Sequence, residues 1–517
     1  MENKLNFLMN LTGTKNSVLS KAVSFDPSYI SRIRTGKRSM PDTPQFVEAL
    51  ASYFSRNIRP GEQQVILASE LCPGKALPED REELQMLLSA WLHQKELPKP
   101  DSIHSFLNGF ASAGMLAANA ARAVTPDMSP EELAAAIRSR TEQLETEAGG
   151  NPYFYGNEGK RRAVEIFLGR LCCSNKAYQL LLYSDEEMSW LYEDPAFAKR
   201  WAALLIRLLS TGSRIRIPHN ITRDSNEMFE SVQKWIPLYM TGAIEPLYYP
   251  RLRDGVYHRS LFIAKDDSAL ISTSVGRNTD GMLNIQIRDR QAVQALEQEF
   301  ANYTSLCLPL MHIYSKKNSR DCFQAMLQYE KQPGDVIFAH PLPALFTMPQ
   351  SVTQSVRLRS ASGFFSEYQG KSYAIFREHM RKGERVIEIL NLPNAKDVKD
   401  GLVRFPLEDF FELGPEPVSA AELKLHLKNV IRLLRREPSY QVILSGMIPK
   451  NICLSAKENT GAHLMSALAP TTNFEIREHN MTAAFWEYLC RIMEDDNSHS
   501  REDVLRQLDA YIRELDG

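Results

Sequence analysis

The sequence predicts a multidomain α + α/β protein: an all-α N-terminal part, a helical middle region, and duplicated α/β units towards the C-terminal end. Three observations predict it. First, 517 residues are too many for one domain and suggest three or four. Second, apolar residues keep helical spacing as far as about residue 175. Third, beyond Lys176 short β-branched strands alternate with amphipathic helices, in an order that recurs. A hydrophobic content of 43% and a charged content of 24% suit packed cores and argue against a disordered chain. The expected segments are 1–58, a helical connector over 61–175, α/β units over 176–312 and 320–495, and a terminal helix over 500–517.

Residues 15–38 read as two short helices joined by a tight turn. Leu19 and Val23, four apart, face a core from the first helix. Ile30 and Ile33, three apart, do so from the second. Asp26 is a good N-cap, and Pro27 suits the first helical position, where a missing N–H costs nothing. The opposite side of the second helix carries Ser28, Ser31, Arg32 and Arg34, followed by Gly36, Lys37 and Arg38. Such a helix is apolar behind and hydrogen-bonding and cationic in front.

On these residues the stretch from Leu5 to Phe54 resembles the Cro/C1 (XRE-type) helix-turn-helix domain of bacterial and phage repressors. Ser20 and Ser31 stand eleven apart, the family's usual interval, and the ending Ile-Ser-Arg-Ile-Arg-Thr-Gly-Lys-Arg (30–38) follows its habit. Ser20 replaces the commoner Ala, and Ser24 stands in the turn where Gly is preferred for φ > 0. The resemblance implies that Ser28 and Arg32 enter the major groove, Arg32 pairing with guanine O6 and N7. It places Asn16, Ser17, Lys37 and Arg38 near phosphates, leaves Arg34 to either task, and adds Tyr29 and Ser31 to the DNA-facing set. It also implies a homodimer on a pseudo-palindromic site in double-stranded DNA.

Charge distribution agrees with a nucleic-acid contact at one end. The chain carries −2 in total, but its first sixty residues hold nine Lys or Arg against four acids, a net +5. The seven cysteines form no Cys-x-x-Cys and have no His at zinc spacing, so no metal site and no cofactor is expected. There is no apolar signal core near Met1 and no run long enough to span a bilayer, which predicts a cytoplasmic protein without membrane contact.

Along the connector, Phe46, Val47, Leu50, Ala51, Tyr53 and Phe54 form a helix, and Arg59-Pro60-Gly61 reads as a boundary. Leu84, Leu87, Leu88 and Trp91 mark another helix, and Ser129 with Glu132 forms a capping box. The Ala-rich run 111–124 reads as a close-packed helix. Gly156-Asn157-Glu158-Gly159-Lys160 lacks the spacing and the Ser/Thr of a phosphate loop. Strands are expected at Gln179–Tyr183, over 211–221, at Arg259–Ala264, at Ala269–Ser274 and at Ile285–Asp289. The stretch 382–392 echoes 211–221, and Phe474–Glu478 before Phe485 and Tyr488 echoes Ile285–Asp289 before Phe300 and Tyr303. A capping box at Ser419 and Glu422 opens a helix to Arg435, and Tyr440–Leu444 and Asn451–Ser455 are strands. Val504, Leu505, Leu508, Tyr511, Ile512 and Leu515 form a terminal stripe suited to dimerisation or to packing on the chain's own domain.

These paired units faintly resemble the tandem phospholipase-D-like fold, whose enzymes need His-x-Lys with a downstream Asp in both halves. Here His219 is followed by Asn220 and Ile221. His426-Leu427-Lys428 falls inside a helix, with Leu433 at the Asp position. The resemblance therefore implies a catalytically silent unit, with no catalytic residues. What is left is a ligand pocket at strand ends, the usual place for ligands in α/β sheets. Its expected residues are His219, Asn220, Ser272, Ser274 and Arg288 in the first half, and Asn391, Lys457 and Arg477 in the second. Arg214 and Arg385 suit salt bridges equally well, and Tyr248 to Arg253 forms an aromatic-basic loop.

The expected function is that of a one-component, sequence-specific transcription regulator of bacterial or phage type. Its C-terminal region would sense a small-molecule or protein effector and dimerise; it is not expected to be an enzyme. The alternatives are a protein-interaction scaffold or antitoxin-like or phage-type factor with a DNA-binding head, and, further off, a phospholipase-D-like enzyme.

Overall fold

The computed structural model describes residues 4–34, 44–59, 62–71, 77–78, 80–93, 100–117, 129–186, 188–219, 225–250, 256–276, 278–361, 363–458, 460–495 and 500–516. The chain divides into two compact units: residues 1–98 with 222–225, and the remainder. The protein is mixed α/β, with two mixed sheets and many helices.

In the first unit the described elements are helices: Lys4–Thr12, Asn16–Val23, Pro27–Arg34, Pro44–Asn57, Glu62–Leu71 and Arg81–His93. They share one core in which Leu5, Leu8, Leu19, Ile30, Ile33, Phe46, Leu50, Phe54 and Leu88 are fully buried. The region expected as a connector over 61–175 is not one piece. Its first two helices pack into this core, whereas helix Pro100–Ala117 packs in the second unit through Phe106 and Phe110. It also contains a strand, Tyr153–Tyr155.

Among its described residues the second unit holds fifteen strands. They are β1 (Tyr153–Tyr155), β2 (Gln179–Ser184), β3 (Arg214–His219), β4 (Ile244–Tyr248), β5 (Tyr257–Ala264), β6 (Ser268–Val275), β7 (Leu283–Ile287), β8 (Leu308–Pro309), β9 (Met311–Ser315), β10 (Val336–His340), β11 (Val386–Leu390), β12 (Tyr440–Leu444), β13 (Ile452–Lys457), β14 (Gly461–Ser466) and β15 (Thr472–Ile476). The first sheet runs β1-β7-β6-β5-β2-β3-β4-β8 and the second β9-β15-β14-β13-β10-β11-β12. In each, three parallel strands (β2-β3-β4, β10-β11-β12) continue into an antiparallel meander (β5-β6-β7, β13-β14-β15). In each, an earlier strand (β1, β9) closes the far side antiparallel.

The helices follow the same order. Gly156–Cys173, Pro195–Ser210, Ser225–Tyr239 and Arg290–Thr304 in the first half correspond to Ser319–Lys331, Phe364–Lys382, Ala420–Arg436 and His479–Asp495 in the second. Gly212 and Gly383 both take positive φ (91° and 73°) just before β3 and β11, the left-handed exit that the shared Gly supplies. The echo between 211–221 and 382–392 thus lies on strands in the same place in each sheet. Its unequal spacing comes from the crossover between β11 and β12, longer than that between β3 and β4 and carrying the extra helix Ala395–Lys399.

Local signals explain several ends. Both capping boxes are formed: Ser129 accepts from Glu132 N and Ser419 from Glu422 N, while each glutamate accepts from the cap's own N–H. The run Val-Ile-Glu-Ile-Leu of β11 is buried throughout, as a parallel strand covered on both faces must be. Helix Arg501–Asp516 lays Val504, Leu508, Ile512 and Leu515 into the second half's own core. Arg501 fixes its start by donating to the carbonyls of Leu434 (2.5 Å), Pro438 (3.0 Å) and Tyr440 (2.7 Å). No described helix is long and apolar enough to cross a membrane.

Leu508 is fully buried in that terminal contact. Leu508→Ala should cost about 2–5 kcal/mol, read as a lowered urea midpoint of the sheet-bearing unit, whereas Leu505→Ala, only partly buried, should cost much less.

Candidate nucleic-acid face and ligand cavities

Helix Pro27–Arg34 is set by its cap. The Asp26 carboxylate accepts from the backbone of Ser28 (2.7 Å) and Tyr29 (3.3 Å). Hydrogen bonding from Ser28, side chain first, holds its pKa below the ordinary value. The preceding helix ends at Ser24, whose φ of 58° puts a non-glycine residue in the left-handed region. Ile30 and Ile33 are fully buried, while Ser28 and Arg32 are exposed. Tyr29 is half-buried, stacked on Phe25 (5.5 Å) and edge-on to Phe46 (5.9 Å). Arg34 turns inward to its own unit, donating to the side chains of Asn6 (2.8 Å), Asn10 (2.8 Å) and Asn16 (3.3 Å). It ties three helices together, and Asn16 is occupied in that tie. Ser17 is exposed and Ser31 partly so. Lys37 and Arg38 lie outside the described residues.

In the first sheet a buried polar cluster sits on the face covered by helix Gly156–Cys173. Lys160 pairs with Glu186 and donates to Ser260 Oγ (2.6 Å). Ser260 donates to the same Glu186 oxygen (2.6 Å) and meets Ser184 Oγ at 2.7 Å. The Lys160 ammonium also lies 4.7 Å from the Trp190 ring centre. Burial lowers the Lys160 pKa and Glu186 opposes that shift. Beside this cluster a cavity of about 70 Å³ is lined by Leu182, Ser184, Trp190, Trp201, His219 and Trp235. His219 meets the Tyr239 hydroxyl through Nε2 and lies edge-on to Trp235, and burial takes its pKa down to about 4.

The second sheet carries a larger cavity, of about 100 Å³, on the corresponding face. Its floor is Phe338 and His340 of β10, Ser455 of β13 and His463 and Met465 of β14; helices supply Glu330, Phe346, Tyr368 and His426. The charged walls have their own partners. Glu330 accepts from the Tyr368 and Ser372 hydroxyls, both at 2.7 Å, and its pKa is raised by burial. Glu422 accepts from Ser355 (2.6 Å), Arg359 and Ser419. His426 Nε2 meets Thr347 Oγ1 at 2.9 Å. Burial drives the pKa of His340 and His463 to about 4 and that of His426 to about 3, so all three imidazoles are neutral at pH 7.

The residues expected to form a strand-end pocket do not converge. His219, Ser272 and Ser274 share one end of the first sheet, but Ser272 is spent on Asn284 Oδ1 (2.6 Å). Arg288 follows the opposite end of β7 and pairs with Glu145 at 3.3 Å. Asn391 bonds the Ile448 carbonyl (2.7 Å) beside the His340 end of β10, whereas Lys457 pairs across from Val336 at the other end. Lys457 is buried and donates to the carbonyls of Glu330 (3.0 Å) and Gln332. Arg477 is mostly exposed and paired with Glu475. Arg214 is exposed, Arg385 pairs with Asp335 at 2.7 Å, and Asn220 and Arg251 to Arg253 lie outside the described residues. His340 and His463 escaped the sequence reading because sheet pairing alone brings them to one cavity; a His inside the buried run Gly461–Ser466 was the available signal.

No family model matches the chain, and no curated protein matches it. Among solved structures, polyphosphate kinase from Porphyromonas gingivalis aligns with a TM-score of 0.19 and 9% identity, over 63% of this chain and 48% of that one. The chain thus spans about half the length of that structure, and a score so low transfers neither fold nor function.

Removing Lys160 strands a buried carboxylate. Lys160→Met should cost about 3–5 kcal/mol in chemical denaturation, and adding Glu186→Gln should restore most of it. The pH dependence has two limbs. His463, 1% exposed, holds its neutral form down to about 4, whereas the unfolded chain protonates near 6.5. The stability it contributes is full above pH 6.5 and falls by roughly 3 kcal/mol as pH drops towards 4. Glu388, buried and raised to about 7, acts oppositely: its contribution is full below pH 4.5 and is lost as pH rises through 7. Urea midpoints across pH 4–8 should show both limbs, and Glu388→Gln should flatten the alkaline one.

Proposed function

We propose that the chain is a sequence-specific DNA-binding transcription regulator of the one-component type. In this reading residues 5–54 form the Cro/C1-type helix-turn-helix, and the sheet-bearing unit senses an effector and dimerises. The observation that carries it is the two-sidedness of helix Pro27–Arg34: Ile30 and Ile33 are sealed in the core while Ser28 and Arg32 are exposed on the other side. That surface is short, cationic and rich in hydrogen-bonding groups, as base-edge readout requires. Arg34, held by three asparagines, serves the angle between helices in this reading, and leaves Arg32 as the base-reading arginine. The two sheets are read as a duplicated unit similar to a silent tandem phospholipase-D-like pair. Their shared strand order supports this, as does the burial of His219 and His426 as neutral side chains.

Genome-wide capture of duplex DNA by the purified full chain tests the reading. A discrete palindromic motif is expected. Arg32→Ala should cost about 1–3 kcal/mol at one base position and relax the preference there. Lys37→Ala should weaken binding evenly and reduce the slope of log affinity against log salt by about one. A chain that ignores duplex DNA at low salt is no regulator of this type, and recovery of a stoichiometric protein partner would then favour the interaction factor.

A further inference from the structure

The cavity of the second sheet is walled mainly by carbon, yet it keeps two imidazole edges without partners among the described residues. His463 is 1% exposed; its Nδ1 meets the Asn473 side chain at 3.0 Å, and its Nε2 is buried with no hydrogen-bond partner. His340 Nε2 is likewise buried and unpartnered. A buried polar edge left unmade is costly, of the order of 1–3 kcal/mol. The Tyr329 hydroxyl on the same wall is also buried without a partner, whereas Glu330, Glu422 and His426 are satisfied from within the protein. The space is about 100 Å³, below the roughly 150 Å³ of an apolar cavity that accepts a benzene ring, which limits an occupant to one small ring. Among the described residues no three His, Cys, Asp or Glu side chains converge as metal ligands. With its carboxylates already satisfied and no Lys or Arg among its described lining residues, the cavity offers an anion nothing.

We propose that this cavity is a binding site for a small neutral ring carrying one hydroxyl group, the phenol class, seated beside the packed Phe338–Phe346 pair (5.2 Å) with its oxygen against His463 Nε2. The shorter of the two Asn473 contacts has the amide donating to Nδ1, which leaves the proton on Nε2 and makes that edge a donor to the phenolic oxygen. His340 Nε2 is a second unpartnered edge within the same cavity. The body of the ring replaces nothing polar, so its burial is favourable by area, and the hydroxyl supplies the selectivity. The site rests on the sensor reading only for its biological use; its chemistry stands without DNA.

Calorimetric titration of the full chain with phenol, toluene and benzoate tests it, alongside ¹⁵N spectra of the histidine rings. Saturable one-site binding of phenol is expected, with a displaced His463 Nε2 resonance. Toluene should bind about tenfold more weakly, the equivalent of one hydrogen bond, and benzoate should not bind. His463→Phe should remove the phenol preference and spare toluene. Should that variant fail to fold, the comparison of the three probes on the wild-type chain decides alone. Equal affinity for phenol and toluene, no saturable binding, or unmoved His463 resonances would overturn the proposal, leaving the cavity to water. Phenol binding that leaves operator affinity unchanged would keep the site and remove its part in regulation.

Discussion

The second sheet is covered on both faces, and most of what distinguishes this protein follows from that constraint. Every residue of β11, β13, β14 and β15 is buried. A polar side chain placed there has to be answered from inside the protein. Strand pairing lines up His312, Glu475, His463, Ser455, Phe338 and Glu388 in one row across six strands. Glu388 is answered by the Tyr440 hydroxyl and the Ala344 N–H, both at or under 2.8 Å. Glu475 is answered by Tyr314 and Arg477. His463 is answered on one nitrogen only, and the cavity stands where the second answer would be.

The first sheet meets the same constraint differently. The β5–β6 and β13–β14 hairpins pair Ala264 with Ser268 and Lys457 with Gly461, which aligns the two sheets residue by residue. Ser184 then takes the place of His340, and Ser260 that of Cys453. In the first sheet Lys160 reaches this spot from its helix and closes it with Glu186, leaving a smaller, indole-lined cavity beside it. A buried ion pair of this kind contributes little net stability, because desolvation consumes most of the Coulomb attraction, but it fixes the position of the groups around it. One half therefore spends the site on a rigid internal contact, and the other keeps it open with neutral imidazoles.

How much of this was legible depended on whether the determining contacts were local. The capping boxes at Ser129 and Ser419 were readable because their partners stand three residues apart, and Tyr440–Leu444 was readable as an apolar β-branched run. Gly212 and Gly383 revealed a recurring order, since left-handed exits demand the same residue in both places. The partners of β1 and β9 were not readable, because each strand pairs with one far along the chain. Nor was the fate of the ligand candidates. Asn391 and Lys457 both stand at strand ends, and only the direction of β13 against β10 shows that those ends are opposite ones. The stretch Gly156–Lys160 lacks the spacing of a phosphate loop, yet its lysine is the centre of a buried cluster. A lysine's solubility in sequence statistics gives no hint of that.

The wall of the larger cavity also reaches the surface by a short path. Helix Ala420–Arg436 lines it with Leu423 and His426, and its other apolar residues pack against helix Arg501–Asp516. The first turn of that wall is anchored: Glu422 is gripped by Ser355, Arg359 and its own cap Ser419. His426 lies one turn further along, held by Thr347, and Asn429 bonds the Thr347 carbonyl (2.6 Å). An occupant that pressed on His426 would therefore act on the helix beyond its fixed end, where Lys424 and Arg435 meet Asp516 and Asp509 of the terminal helix. A ligand shifts a protein only by the difference in its affinity for two arrangements. On the sensor reading, that difference has to be made here, where a wall pinned at one end carries both an imidazole facing the cavity and the docking surface of the terminal helix.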